Sequence, residues 1–314
     1  MYKGGGVLLQ TFKMLVGLPA SGKSSISKSY KDHGKTHSSD ELRKELYGSR
    51  EIQDKNNKLF RELHRRIKRD LYNGHDVIYD ATNIKRKRRM AFLREIKKYE
   101  CKKEVVFLAT SYEECMRRNK LRENPVPNHV IKKMYMNFDI PYKFEGWDTI
   151  NIIFDESQIG VDTDINEMYN GDNGLIKLEH DNPHHSLTVG RHMLETAKHL
   201  LNDYGYDDIG LCKAALFHDI GKRFTKTFTN AKGEPTDIAH FYQHNLVGAY
   251  MMVLILLKKK YEQDDILDIC QLISFHMLPH MVKKEKTIQK YKNMLGEEFY
   301  NRLMILYRSD VKAH

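Results

Sequence analysis

Two groups of residues in this sequence have types and spacings suited to phosphoryl chemistry. The first is Gly17-Leu18-Pro19-Ala20-Ser21-Gly22-Lys23-Ser24, followed by Ser25, a complete GxxxxGK[ST] pattern. Its glycines let the backbone curl so that successive N–H groups face phosphate oxygens. Lys23 can then reach the β- and γ-phosphates, and the Ser24 hydroxyl suits Mg²⁺. Bound ATP, or another NTP, with Mg²⁺ is the expectation. A kinase also needs a base for its acceptor and cations for the transferred group. Asp40, in SSDELRKEL, is a candidate base, although an Asp before a helix commonly serves only as an N-cap. Arg118 and Arg122 lie four apart on an expected helix, where both guanidinium groups can face one ligand or simply line a solvated face.

The second group is rich in histidine: 11 of the 16 histidines lie beyond residue 150, which points to a separate site there. His218-Asp219, in FHDIGK, offers a nitrogen and an oxygen ligand from neighbouring positions. His192, His244, His276 and Asp310 add one ligand type from each of four other helical segments. Such a donor set suits one or two transition-metal ions, Mn²⁺, Ni²⁺, Zn²⁺ or Fe. Metal-bound water then becomes a nucleophile near neutral pH for phosphate-ester hydrolysis. His185 lies seven residues before His192 and shares its helix face, but the spacing from His192 to His218 favours His192. His280 follows Pro279 and cannot simply share a helix with His276, so it reads as a loop histidine near the site.

The elements that must position these residues fall into two regimes. Residues 1–154 alternate short apolar runs with amphipathic stretches, the rhythm of an α/β domain with a parallel sheet. Strands are expected at 13–18, 76–83 and 104–110, one more before Asp40, and a helix after the glycine-rich loop. A long helix is expected over 51–72, where Leu59, Leu63 and Ile67 recur every four residues. Residues 155–180 lose periodicity and read as a linker, with a poorly defined strand near Leu175 as an alternative. Residues 181–314 read as an all-α domain.

Net charge is +10 and unevenly shared. Residues 1–150 hold 33 Lys and Arg against 19 Asp and Glu, while residues 151–314 hold 19 against 23. The excess is densest in Lys85-Arg86-Lys87-Arg88-Arg89, which favours a polyanionic partner. Four scattered cysteines without a CxxC pair argue against a disulfide framework and fit a reducing cytoplasm. No apolar run is long enough to span a bilayer, so no membrane partner is expected.

Residues 10–150 resemble the kinase domain of bacteriophage-type polynucleotide kinases through GLPASGKS, SSDELRKEL, DATNIKRKRR and RRNKLRENPVPNHVIKKMY, in the family's order. The resemblance implies that Asp40 is the general base for a 5′-hydroxyl and that Arg43 helps hold the acceptor phosphate. It places Lys23 and Arg122 on the transferring phosphates and Arg118 in a lid over the nucleotide. Residues 181–314 resemble the HD superfamily of metal-dependent phosphohydrolases through DNPHHSLTVGRHML, ALFHDIGK and HFYQHNLVGA. That resemblance implies core metal ligands His192, His218, Asp219 and Asp310. His244 and His276 would complete a second metal position, and Lys222 would bind the scissile phosphate.

Together the two halves imply a nucleic-acid end-healing enzyme. One site would phosphorylate a 5′-hydroxyl, and the other would remove a 3′-phosphate or 2′,3′-cyclic phosphate. RNA or DNA ends are the expected partners, with a separate ligase acting next. The alternatives are a bifunctional metabolic enzyme, pairing a small-molecule kinase with an HD nucleotidase, and a sensory protein that only binds ATP and metal. The intact set of candidate catalytic residues argues against the last.

Overall fold

A computed structural model describes residues 9–48, 56–183 and 186–314. The chain divides into two units. The first comprises residues 1–110, 114–131 and 141–155, and the second 111–113, 132–140 and 156–314.

The first unit is built on strands β1 (Gln10–Val16), β2 (Lys35–Ser38), β3 (Val77–Asp80), β4 (Cys101–Ala109) and β5 (Thr149–Phe154). They form one sheet in the order β2-β3-β1-β4-β5, every pair parallel. Parallel strands must be joined by crossovers, and the helices α1 (Lys23–Ser29), α2 (Ser39–Tyr47), α3 (Asn56–Tyr72), α4 (Arg86–Ile96), α5 (Tyr112–Lys120) and α6 (Asn128–Met136) supply them, although 112–113 of α5 and 132–136 of α6 belong to the second unit. β1 lies between β3 and β4, and its apolar residues form the middle of the core: Phe12, Met14, Leu15 and Val16 are at most 1% exposed. The expected long helix is present as α3; residues 51–55 lie outside the described residues. Its Leu59, Leu63 and Ile67 are buried, as their four-residue spacing implied. β5 carried no signal strong enough to be expected; it is an edge strand with alternating half-exposed positions.

The stretch read as a linker is more ordered than expected. It holds α7 (Ile165–Asn170) and a 3₁₀ turn at Leu175–Lys177 in place of a strand. Met168, Tyr169 and Leu175 are buried, and Gly190 packs so closely on Leu175 and Ile176 that a Cβ there would lie 2.6 Å from their backbone. These anchors are spaced too irregularly to show a period in sequence.

The second unit is helical: α8 (Val189–Tyr204), α9 (Ile209–Phe217), α10 (Lys222–Thr225), α11 (His244–Lys258), α12 (Gln263–Phe275), α13 (Leu278–Met281), α14 (Glu285–Leu295) and α15 (Glu297–Lys312). One antiparallel ribbon, β6 (Thr227–Thr229) and β7 (Pro235–His240), is added to the expected helices. α11 is strongly apolar and is buried along almost its whole length, as befits a central helix. Gly221 lets the turn before α10 rest on α11, since a Cβ there would fall 2.0 Å from the His244 carbonyl oxygen. No helix among the described residues is long and apolar enough to cross a membrane.

Candidate functional sites

The glycine-rich loop joins the carboxyl end of β1 to α1, the position at which open parallel sheets bind ligands. Its conformation depends on glycine at two points. Gly22 has φ +100°, in the left-handed region, and a Cβ at Gly17 would lie 2.5 Å from Ser21 Oγ. The Lys23 ammonium donates to the carbonyls of Gly17 (2.9 Å) and Leu18 (2.6 Å), inside the loop. Burial lowers its pKa to about 8, against the opposing pull of Asp80.

Asp80, which the sequence reading passed over within DATN, ends β3 directly beside the loop. It is buried, interacts with Lys23 and accepts a bond from Ser27, while burial raises its pKa. An acid terminating a strand adjacent to a P-loop strand is the group that holds Mg²⁺ in P-loop enzymes. An apolar run ending in Asp was the available signal.

Ser38, not Asp40, caps α2: its side chain accepts from the Glu41 N–H. Asp40 thus sits in the first helical turn with its side chain 57% exposed, and Arg43 donates to it at 2.9 Å. Arg43 is itself buried and also donates to Asn56 Oδ1 at 3.1 Å.

Arg118 lies on α5, paired with Glu114 and Asp155, and one of its Nη atoms reaches to 3.8 Å of a Cβ built on Gly22. Arg122 departs from the expectation of a shared helix. α5 ends at Lys120, and the Asn119 side chain bonds both the N–H and the carbonyl of Val126, turning the chain back before Pro125 and Pro127 can extend it. Arg122 is therefore an exposed turn residue, near enough to Lys23 to act on its charge but not on the helix face of Arg118.

Next to the loop, a groove of about 320 Å³ runs between α3 and α4. Thr82 and Asn83 bind its wall to the phosphate loop, through Gly17 N–H to Thr82 O (3.1 Å) and Asn83 Nδ2 to Leu15 O (2.9 Å). Phe60, His64 and Phe92 supply rings, the last two with centroids 4.1 Å apart. Arg61 and Arg88 supply positive charge and form no ion pair among the described residues. Arg89, in contrast, is buried against Glu145 and is no part of an open basic surface.

In the second unit, five helix ends or faces bring their ligand types to one point. His192 projects from α8, His218 and Asp219 follow α9, and His244 opens α11. His276 follows α12, and Asp310 lies in the last turn of α15. All six are buried. Asp219 joins two triads: one carboxylate oxygen faces His192 and His218 at 3.7 and 3.5 Å, the other His244 and His276 at 3.2 and 3.6 Å. Asp310 Oδ1 lies 2.9 Å from His192 Nε2.

The ring orientations test whether metal fits. His218, His244 and His276 each hold Nδ1 at 2.7–2.9 Å from the backbone carbonyl three residues earlier. A carbonyl only accepts, so each Nδ1 carries the proton and each Nε2 presents a lone pair to the centre. Yet His218 Nε2 lies 3.3 Å from His192 Nε2, and His244 Nε2 3.1 Å from His276 Nε2. The converging Nε2 lone pairs of His244 and His276 and the Asp219 carboxylate repel one another unless a cation sits among them, so this donor set fits metal. Burial works against ionised Asp219, but the Lys222 ammonium beside it outweighs this and holds its pKa well below the usual range. Burial lowers the pKa of His276 to about 4, keeping its imidazole neutral near pH 7.

Lys222 Nζ lies 2.6 Å from Asp219 Oδ2 and 3.0 Å from His180 Nε2. His180 was missed in sequence; its Nδ1 is fixed by the Leu187 carbonyl at 2.7 Å. His280 stands on α13 rather than in a loop and bonds Asp310 Oδ2 at 2.9 Å. His314 lies 3.8 Å from Asp310 Oδ1, a further ligand type at the rim. His185 lies outside the described residues.

Comparisons agree with this division. The family described as AAA domain matches residues 13–141, and that described as HD domain matches residues 184–313. A curated relative, the L-seryl-tRNA(Sec) kinase of Methanococcus maripaludis, is 30% identical over 186 residues, 54% of this chain and 69% of the relative. Among solved structures, a chain of the Pnkp1/Rnl/Hen1 RNA repair complex is 18% identical with a TM-score of 0.36. That match covers 43% of this chain and 45% of the other, so this chain spans under half of that neighbour's length. A gluconokinase from Sinorhizobium meliloti 1021 is also 18% identical, with a TM-score of 0.35, covering 46% and 82%. A P-loop kinase domain implies ATP and Mg²⁺, and an HD domain implies metal. The chain belongs to the P-loop kinase family of its M. maripaludis relative and carries behind the kinase domain an HD phosphohydrolase domain.

Proposed function

We propose that this protein heals broken nucleic-acid ends, phosphorylating a 5′-hydroxyl and removing a 3′-phosphate or 2′,3′-cyclic phosphate. The observation that carries the polynucleotide reading is the groove beside the phosphate loop, where rings lie together with arginines that form no ion pair among the described residues. Stacking platforms next to backbone-binding cations are how single strands are held. The acceptor hydroxyl would reach Asp40, whose carboxylate takes its proton as the oxygen bonds the γ-phosphorus and the bond to ADP breaks. Arg43, fixed by Asp40 and Asn56, would hold the neighbouring backbone phosphate. Lys23, Arg118 and Arg122 would carry charge on the transferred group, and Asp80 and Ser24 would hold Mg²⁺.

At the second site, His192, His218, Asp219 and Asp310 would hold one ion and Asp219, His244 and His276 another. A bound ion there supplies an activated water and a clamp on the phosphoryl oxygens. Lys222, poised between Asp219 and His180, would bind the scissile phosphate. A separate ligase would use the resulting ends, and a cytoplasmic location suits this role.

A second reading has one observation in its favour: the relative's name puts its acceptor hydroxyl on seryl-tRNA rather than on a polynucleotide end. One experiment separates the two. An RNA with a 5′-hydroxyl and a 2′,3′-cyclic phosphate is incubated with protein, ATP and Mg²⁺, with and without Mn²⁺ or Ni²⁺, and both ends are resolved on a gel. Conversion to 5′-phosphate and 3′-hydroxyl supports end healing. An unchanged 5′ end, in a protein that phosphorylates seryl-tRNA or a small metabolite, refutes it.

A further inference from the structure

The second unit contains a cavity of about 560 Å³ that neither reaction uses, and every residue lining it belongs to that unit. Three rings form one wall. Tyr112 and Tyr135 stack with centroids 5.1 Å apart, and Phe224 meets both edge-on at 5.3 and 4.9 Å. The floor is apolar, from Met251, Leu254 and their neighbours on α11. At the rim stand a carboxylate, Glu113, and a guanidinium, Arg223. Neither forms an ion pair among the described residues.

Glu113 is held in place by the backbone. Gly160, at φ +77°, packs against it so closely that a Cβ would lie 2.4 Å from Glu113 Oε2 and 2.7 Å from its Cβ. Neighbouring protein atoms raise the pKa of this carboxyl, while the residue itself remains exposed to solvent. The cavity is not the metal site. Lys222 on α10 turns to Asp219, whereas Arg223 and Phe224 on the same short helix line the cavity.

We propose that this cavity binds a guanine nucleotide, with the base against the rings, its N1–H and N2–H₂ donors on Glu113, and the phosphate on Arg223. Three features select this class together. A wall of three rings favours a flat, polarisable ligand. Opposite charges at the rim favour a ligand with donors at one end and an anion at the other. An ionised carboxylate only accepts, and guanine presents two adjacent donors that match its two oxygens. Adenine instead presents one donor beside a ring-nitrogen lone pair, which the carboxylate repels.

The test is calorimetric titration of GMP, AMP and spermidine into the full chain carrying Lys23→Ala and Asp219→Asn, which silence the other two sites, with folding checked by circular dichroism. GMP is expected to bind saturably with a Kd below about 1 mM, and AMP about tenfold more weakly. Adding Glu113→Gln should remove the preference for GMP over AMP. Adding Arg223→Ala should weaken GMP but not guanosine. Absence of saturable GMP binding below about 1 mM, equal affinity for AMP, binding of spermidine alone, or a Glu113→Gln protein that binds GMP as before would each overturn the proposal.

Discussion

Replacing Arg89 with Ala should unfold the kinase unit's structure far more readily than it weakens nucleic-acid binding, although Arg89 ends the densest basic run in the chain. Arg89 and Glu145 side chains are 1% and 0% exposed and form a two-pronged pair, Nε to Oε2 at 2.8 Å and Nη2 to Oε1 at 2.6 Å. Arg89 also donates to the Asn83 carbonyl at 3.0 Å. Without the guanidinium, Glu145 keeps, among the described residues, the Tyr142 N–H and the Trp147 indole N–H, each at 3.2 Å. Breaking one side of a buried pair costs about 3–5 kcal/mol, because the remaining charge is stranded away from water. The assay is denaturant unfolding, following the transition that ATP with Mg²⁺ stabilises. Arg88→Ala provides the contrast: this exposed residue should change stability by less than about 0.5 kcal/mol and lower the salt slope of oligonucleotide binding by about one. A double change, Arg89→Met with Glu145→Leu, should recover most of the lost stability, since no charge remains buried. Equal small stability losses and equal salt-slope changes for Arg88→Ala and Arg89→Ala would refute the reasoning.

Other expectations follow from the two sites. Asp40→Ala should abolish 5′-phosphorylation and leave phosphate removal, while Asp219→Ala should do the reverse; a radiolabel-transfer and phosphate-release pair of assays checks both, and loss of both activities in either folded variant would sink the two-site scheme. Lys23 sits near a pKa of about 8, and a bound triphosphate raises it, so ATP binding should take up roughly one proton at pH 9 and about a tenth of one at pH 7. Calorimetry in buffers of different ionisation enthalpy measures that uptake, and Lys23→Met should eliminate it. Burial lowers His64 to about 4, so the folded state binds fewer protons than the unfolded one between pH 6.5 and 4. Stability of the kinase unit should therefore fall as pH drops through that window, and His64→Gln should flatten the decline. Chelation should lower the unfolding midpoint of the helical unit, and Mn²⁺ or Ni²⁺ at a hundred times its Kd should restore about 2.7 kcal/mol; a midpoint indifferent to both would contradict the metal reading of the histidine cluster.

Local patterns in the chain were enough to define a parallel α/β half, a helical half, the phosphate loop and the six candidate ligands that the second unit gathers. Each is a short-range matter: a loop sequence, a two- or four-residue period, a His-Asp doublet. Where the sequence reading departed from the structure, a longer-range contact was responsible. Arg122 left its helix because Asn119 captured Val126 across the turn. Arg89 left the basic surface because Glu145, 56 residues on, was available to bury it. Asp80 and His180 escaped notice because neither carries a motif of its own. Asp80 matters because β3 lies next to β1, and His180 because its ring reaches Lys222. Sequence spacing likewise could single out Asp219 as a candidate ligand but not show that its two oxygens face different histidine pairs. Residue type and local periodicity are properties of a segment, readable one window at a time. Which side chains share a charge, a proton or a metal depends on packing between distant segments, and only the tertiary structure decides that.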